Sequence, residues 1–289
     1  MKAGMDLDAL RSILTDSFPE LSGSEFITHT AGWDCVAVDV DGRLIFKFPR
    51  HELAEKALIV EARLLTAIRP AVSMPVPDLT LFSGPPRFSR HVKLKGEHLL
   101  TQHYQQLPSE ARQRLASDMA LFYAELHSID ARHMEALGAG PLRPWLHPDD
   151  ILRRVWPILP LASRRYADKA IDDWQQLPSD PYGVTYGFFD GHGWNMAFDH
   201  KEKRLNGIYD FADSGFGPLH QEFIYTNWIE PDLTARIVAE YEALTGRDLD
   251  RQRIDLLTGV LRLSELAEAI DDAVHFAEKM KAVMDWSSR

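Results

Sequence analysis

Phe188-Phe189-Asp190-Gly191-His192-Gly193-Trp194-Asn195 leaves one strand-like run, turns through two glycines and enters another at Asn195. Fifteen residues further on, Asp210 stands in Gly207-Ile208-Tyr209-Asp210-Phe211-Ala212-Asp213-Ser214-Gly215-Phe216-Gly217, a second acid at a strand end before a glycine loop that reads as flexible. Short strands are expected over 184–189, 195–198 and 205–209. Around them the chain reads as helical, with an apolar stripe of Leu115, Met119, Phe122 and Leu126 and helical patterns over 148–176, 218–244 and 252–283. The first third is different. Alternation over Phe26, Thr28 and Thr30, then Val36-Ala37-Val38, then Leu44-Ile45-Phe46 predicts three strands, the last two joined at Asp41-Gly42. Leu53, Leu58, Val60, Leu64, Leu65 and Ile68 recur at helical spacing until Pro70, and strands follow over 79–82 and 88–94. The expectation is an α+β, two-lobed molecule. A five-stranded antiparallel sheet with one helix occupies 1–94, a mostly helical lobe occupies 95–289, and a hinge falls at Lys93-Leu94-Lys95-Gly96.

Aspartate and asparagine beside glycine are ordinary turn residues, so neither acid loop says much alone. Their order says more. Phosphoryl transfer needs a carboxylate to take the acceptor hydroxyl's proton and oxygen ligands to hold Mg²⁺ on the phosphates. Asp190 supplies the first, and Asn195 with Asp210 the second. An Asp-x-x-x-x-Asn loop, two short strands and then Asp-Phe resemble the catalytic and metal loops of the protein kinase-like fold. Upstream, Lys47 ends the third strand and Glu61 lies among the apolar positions of the next helix. A buried lysine is costly without a partner, and Glu61 is placed to supply one. Thr30-Ala31-Gly32-Trp33-Asp34 is the candidate loop over the phosphates, with a single glycine, Gly32.

The chain has 289 residues, 45% of them hydrophobic, enough for two buried cores. One cysteine, Cys35, allows no intrachain disulfide, and no apolar run approaches a membrane span, so a cytoplasmic enzyme with no membrane partner is expected. Net charge is -11, from 43 acidic against 32 basic residues, which argues against nucleic acid and would favour a cationic small molecule.

From Gly32-Trp33-Asp34 through Phe46-Lys47-Phe48-Pro49, Glu61, Pro75-Val76-Pro77, Gly96-Glu97, Leu126-His127-Ser128-Ile129-Asp130 and both acid loops, the chain resembles the aminoglycoside phosphotransferase family. The pattern is nearest the 2''-phosphotransferases. The resemblance implies a bilobal, kinase-like, nucleotide-binding enzyme of the antibiotic-resistance type. Mg²⁺ with ATP or GTP would donate a phosphoryl group to a substrate hydroxyl. Asp190 would be the catalytic base, Asn195 and Asp210 the metal ligands, and Lys47 with Glu61 the phosphate-positioning pair. One departure is Phe188, where the family usually has histidine two residues before the catalytic aspartate.

A protein kinase is disfavoured, because no His-Arg-Asp or Ala-Pro-Glu occurs and little chain separates Asp210 from the next helix near Pro218. Kinases of macrolides, choline-like amines or sugars share the same core, and a nucleotide-binding module without catalysis is the non-enzymatic alternative. For a cationic acceptor the candidate acids are Glu230 and Asp232 between two helices, and Glu265, Glu268, Asp271 and Asp272, which crowd the start of the last helix, Glu268 sharing a face with Asp272 and with Glu265.

Overall fold

In a computed structural model describing residues 6–29 and 34–288, the first third is an antiparallel sheet. Helix α1 (Leu7–Ser17) precedes β1 (Phe26–His29), β2 (Cys35–Val40) and β3 (Leu44–Pro49); α2 (Glu52–Ile68) follows, then β4 (Thr80–Phe82) and β5 (Phe88–Val92). The strands lie in the order β1-β2-β3-β5-β4. Asp41 and Gly42 both take positive φ, 55° and 64°, as a tight hairpin turn requires. Residues paired across antiparallel strands share a face. Val36, Val38, Val40, Phe46, Phe48 and Phe88 therefore line one side and pack with Leu10 and Leu14 of α1. The other side carries Ala37, Asp39, Ile45, Lys47, Ser89 and His91. The buried polar residues of this region, Asp39, Ser89, His91 and Glu61 of α2, are on or directed at that second side, which faces the rest of the chain.

The remainder is helical around two small hairpins. Helices α3 (Thr101–Gln105), α4 (Ser109–His127), α5 (Ala131–Leu137), α6 (Pro148–Val155) and α7 (Leu161–Gln176) precede β6 (Val184–Gly187), β7 (Met196–Asp199), β8 (Arg204–Ile208) and β9 (Gly215–Pro218). A 3₁₀ stretch, Leu219–Trp228, leads to α8 (Pro231–Thr245), α9 (Arg251–Glu268) and α10 (Phe276–Ser287). Strand β7 pairs with β8, and β6 with β9. Phe122 and Tyr123 of α4 meet Ile237 and Tyr241 of α8 in the main core, and a second core joins α6, α7, α9 and α10. Leu64, Leu65 and Ile68 of α2 belong to the main core, not to the sheet's own cluster. Helix α2 is thus anchored in the helical part while presenting Glu61 to the sheet.

Several expected boundaries shift for local reasons. The pattern over 148–176 breaks into α6 and α7 at Pro157 and Pro160, neither of which can donate a helical hydrogen bond. The pattern over 218–244 becomes a 3₁₀ stretch and then α8, which starts at Pro231. The pattern over 252–283 is interrupted between Glu268 and Phe276, so Glu268 and Asp272 do not share a continuous helical face. Residues 215–217, expected to be a flexible loop, form strand β9. A Cβ at Gly215 would fall 2.6 Å from the Gly140 carbonyl oxygen, and one at Gly217 would fall 2.4 Å from Leu142. The glycines there serve close packing. Thr30 and Gly32 lie outside the described residues.

Between sheet and helices the chain crosses through Gly96, whose φ of 141° few side chains tolerate. Its neighbour Glu97 exchanges both backbone hydrogen bonds with Phe198, each 2.9 Å. A Cβ at position 96 would approach the Ala197 carbonyl carbon to 2.5 Å, well inside contact distance. Gly96→Ala should therefore destabilise the fold by at least about 2 kcal/mol. Thermal unfolding checks this through a Tm several degrees lower, and wild-type melting would show that the crossing tolerates a side chain.

Candidate active site

Lys47, within β3 and not at its end as expected, is the centre of an ion-pair cluster that joins three elements. Its Nζ lies 3.1 Å from Glu61 Oε1 and 2.8 Å from Asp210 Oδ1. The Phe211 backbone N–H donates to the same Glu61 oxygen at 3.1 Å. One buried carboxylate from α2 therefore holds both the strand's lysine and the backbone just past the second acid. Asp210 adopts φ of 69°, so the chain bends sharply at the carboxylate. Burial opposes the Lys47 charge, but Asp210 and then Glu61 outweigh it and hold the ammonium well above its ordinary pKa. Lys47 in turn holds Asp210 below the usual carboxylate range. Burial pushes Glu61 up, and Lys47 opposes that.

The loop between β6 and β7 carries Asp190. Asn195 Nδ2 donates to Asp190 Oδ2 at 2.6 Å and to its backbone oxygen at 3.0 Å, while His192 Nε2 stands 3.1 Å from Oδ1. Both carboxylate oxygens are thereby oriented by their own loop. Burial lowers the His192 pKa, yet Asp190, with help from Asp210 and Glu265, leaves it raised overall. The Tyr209 N–H donates to the Asn195 carbonyl at 3.0 Å, which ties this loop to the strand end before Asp210. The glycines of the loop are close-packing positions. A Cβ at Gly191 would lie 2.1 Å from Tyr123 Oη, and one at Gly193 would lie 1.8 Å from the Leu99 oxygen.

Glu222 and His127 complete the support, and their roles were not anticipated from sequence. Fully buried, Glu222 accepts from the Phe188 N–H at 2.9 Å and the Phe189 N–H at 2.8 Å. It thereby fixes the backbone into which Asp190 is set, including Phe189 at φ of 53°. Behind it the network runs in one direction. Arg247 donates to Tyr241 Oη, the tyrosine hydroxyl reaches His127 Nδ1 at 2.8 Å, and His127 Nε2 reaches Glu222 at 3.2 Å. Phe188 packs its ring 4.8 Å from that of Phe211. Where the family pattern has histidine, an aromatic contact joins the two acid loops here.

The charges of Asp190 and Asp210 both reach Asp213, and Asp210 is tied to the polar side of the sheet through Lys47. Although its side chain reaches solvent, Asp213 is pushed up to about 6 by desolvation first and by Asp190 and Asp210 next. Such crowding of carboxylates costs energy that a divalent cation would relieve. Among the described residues no three acid, imidazole or thiol groups close on one point. Asp210 and the Asn195 amide nonetheless offer the hard oxygen donors that Mg²⁺ takes when phosphates and water complete its shell, so the residues fit that ion. On the sheet side, burial drives His91 down to about 4, leaving a neutral imidazole, and Lys93 pairs with Asp39 at 2.7 Å.

The six candidate acceptor acids separate. Asp232 accepts from Tyr104 at 2.6 Å and Arg236 at 2.9 Å, and Glu230 accepts from Gln105 at 3.0 Å. Glu268 pairs with Arg143 at 3.2 Å, Asp272 holds its own turn through the Val274 and His275 N–H groups, and Asp271 is exposed. Among them, Glu265 is close enough to the Asp190 loop for its charge to help hold His192 up. Gly32 lies outside the described residues, so the structure does not place it.

A strand lysine locked to a helix glutamate and paired with the second of two acid loops is the arrangement of a kinase-like phosphotransferase. The chain belongs to the APH phosphotransferase enzyme family, whose model matches residues 28–257. Among solved structures it resembles the GDP complex of wild-type aminoglycoside 2'-phosphotransferase-IIIa, with 20% identity and a TM-score of 0.84 over 96% of this chain and 97% of that one. The GDP and kanamycin complex of APH(2")-IIIa gives 19% identity and a TM-score of 0.80 over 96% and 98%. Macrolide 2'-phosphotransferase type I gives 18% and 0.67 over 97% of each chain. At these identities the likeness carries the fold. No curated protein sequence matches the chain, and among the described residues no helix is long and apolar enough to cross a membrane.

Removing the Glu222 carboxylate would strand two backbone N–H groups and one histidine in a dry core. Glu222→Ala should lower stability by about 3 kcal/mol or more. Urea unfolding measures this directly, and a loss below about 1 kcal/mol would mean that the backbone of the Asp190 loop finds other partners.

Proposed function

We propose that this phosphotransferase moves the γ-phosphoryl group of a magnesium-bound ATP or GTP onto a hydroxyl of a small, aminoglycoside-like molecule. The observation that carries the reading is the joint placement of Lys47, Glu61 and Asp210 in one cluster, with Asp190 and Asn195 beside it. In this reading residues 1–94 form the nucleotide lobe and 95–289 the catalytic and acceptor lobe. The nucleotide lies against the polar side of the sheet, with Gly32 among the residues that bind it. Lys47, kept charged by its two carboxylates, draws the phosphates into line, and Glu61 fixes the lysine. Asn195 and Asp210 hold Mg²⁺, which neutralises charge developing on the phosphates when it is bound. Asp190, its two oxygens aimed by Asn195 and His192, accepts the proton from the acceptor hydroxyl as the oxygen attacks.

The nucleotide is supported by relatives of this fold whose structures are described as GDP, ADP or ATP complexes. The acceptor class is supported by relatives described with kanamycin, gentamicin and streptomycin, and by the net charge of -11. A macrolide acceptor is the second reading, favoured by the macrolide 2'-phosphotransferases of the same fold.

The two acid loops should separate in experiment. Asp210→Ala is expected to abolish magnesium-dependent nucleotide binding. Asp190→Asn should leave binding nearly intact and slow transfer at least about a hundredfold. Calorimetric titration of magnesium nucleotide into each variant, with turnover measured beside it, tests this. Equal loss of binding in both variants would overturn the division of roles.

A further inference from the structure

Glu265 of α9 is partly buried. One of its oxygens, Oε1, accepts from Lys279 Nζ of α10 at 3.2 Å. The other, Oε2, is buried and has no hydrogen-bond partner among the described residues. The same Lys279 ammonium lies 4.3 Å from the centre of the Trp228 ring. A carboxylate and an indole face closing on one point form a binding site for an ammonium group, because the carboxylate gives a charge-assisted hydrogen bond and the ring a cation–π contact. Here a lysine of the chain itself fills it. Glu265 is no remote surface acid. The segment that carries Trp228 packs on the Asp190 loop, where a Cβ at Gly193 would lie 3.3 Å from Ile229 and one at Gly191 3.6 Å from Thr226, and the Glu265 charge reaches His192 of that loop.

The other candidate acids strengthen the point. Glu268, Asp232, Glu230 and Asp272 already have partners within the chain, Asp272 through His275 Nδ1 at 2.6 Å, whereas Asp271 is exposed.

We infer that Lys279 is a specificity-determining residue of the acceptor site. Its ammonium occupies the place between Glu265 and Trp228 that an amine of the acceptor would otherwise take, so the acceptor meets Glu265 with a neutral, hydroxyl-bearing face. This rests on the small-molecule phosphotransferase reading and narrows its substrate class. A polycation such as kanamycin must displace Lys279 or forgo the site. Acceptors with hydroxyls but no ammonium at that position lose nothing.

Calorimetric binding of kanamycin at low ionic strength tests the inference on the full chain. Lys279→Met keeps the apolar stem over Trp228 while vacating the ammonium position. It is expected to bind kanamycin about tenfold more tightly than the wild type. Lys279→Arg, which refills the position with a cation, should behave as wild type. Lys281→Met removes the same charge from the neighbouring turn, where Lys281 pairs with Asp285, and should change affinity little. Unchanged or weaker binding by Lys279→Met would overturn the inference, as would an equal gain in Lys281→Met, which would reduce the effect to net charge. Failure of every acceptor to stimulate nucleotide turnover in the wild type would instead remove the proposed function, and the order of kanamycin affinities would still decide the role of Lys279.

Discussion

Glu61 is the constraint on which the rest of the structure depends. A buried carboxylate must be paired, and this one is paired twice, to the Lys47 ammonium of the sheet and to the backbone N–H of Phe211. Its helix is anchored through Leu64, Leu65 and Ile68 in the main core of the helical part. Val60 of the same helix also faces Gly138, at the left-handed end of α5, where a Cβ would touch it at 3.3 Å. The glutamate cannot withdraw without disturbing both. The sheet's lysine and the second acid loop are therefore held in register by packing that involves neither of them.

The same logic recurs one layer down. Glu222 does for the Asp190 loop what Glu61 does for Asp210, supplying acceptors to backbone N–H groups that no strand or helix satisfies. Both acid loops contain a non-glycine residue at positive φ, Phe189 in one and Asp210 in the other. Such conformations cost energy and persist where the surroundings over-determine them. Here two buried glutamates and the Phe188 to Phe211 contact do so. The arrangement leaves the Asp190 and Asp210 side chains partly exposed to solvent while their backbones are fixed from behind.

Much of this was legible in the residues. Period-two alternation and the Asp41-Gly42 turn marked the sheet, and the order of Lys47, Glu61, Asp190, Asn195 and Asp210 marked the cleft. The contacts of Lys47 with both acids follow from that order once the sheet forms. Other features left no local signal. Glu222 sits in a 3₁₀ stretch of low amphipathic contrast, and only the folded chain brings it 34 positions back in sequence to Phe188. The glycines at 215 and 217 read as flexible because sequence shows their freedom but not the neighbours at Gly140 and Leu142. The acceptor acids looked like one cluster because like charges four apart share a helical face. The break after Glu268 and the partners Lys279 and Arg143, supplied from distant segments, removed that simplicity.

The central claim is that these two fixed acid loops pass a phosphoryl group from a magnesium nucleotide to a small hydroxylated acceptor. Mass spectrometry of an acceptor panel of aminoglycosides, macrolides, choline and simple sugars, incubated with the protein, Mg²⁺ and ATP or GTP, tests it most directly. The account predicts that one acceptor class gains the mass of a single phosphoryl group as the nucleotide is converted to its diphosphate, and that omitting Mg²⁺ stops both changes. Nucleotide that is bound but never consumed, or consumed with phosphate appearing only in water, would contradict it.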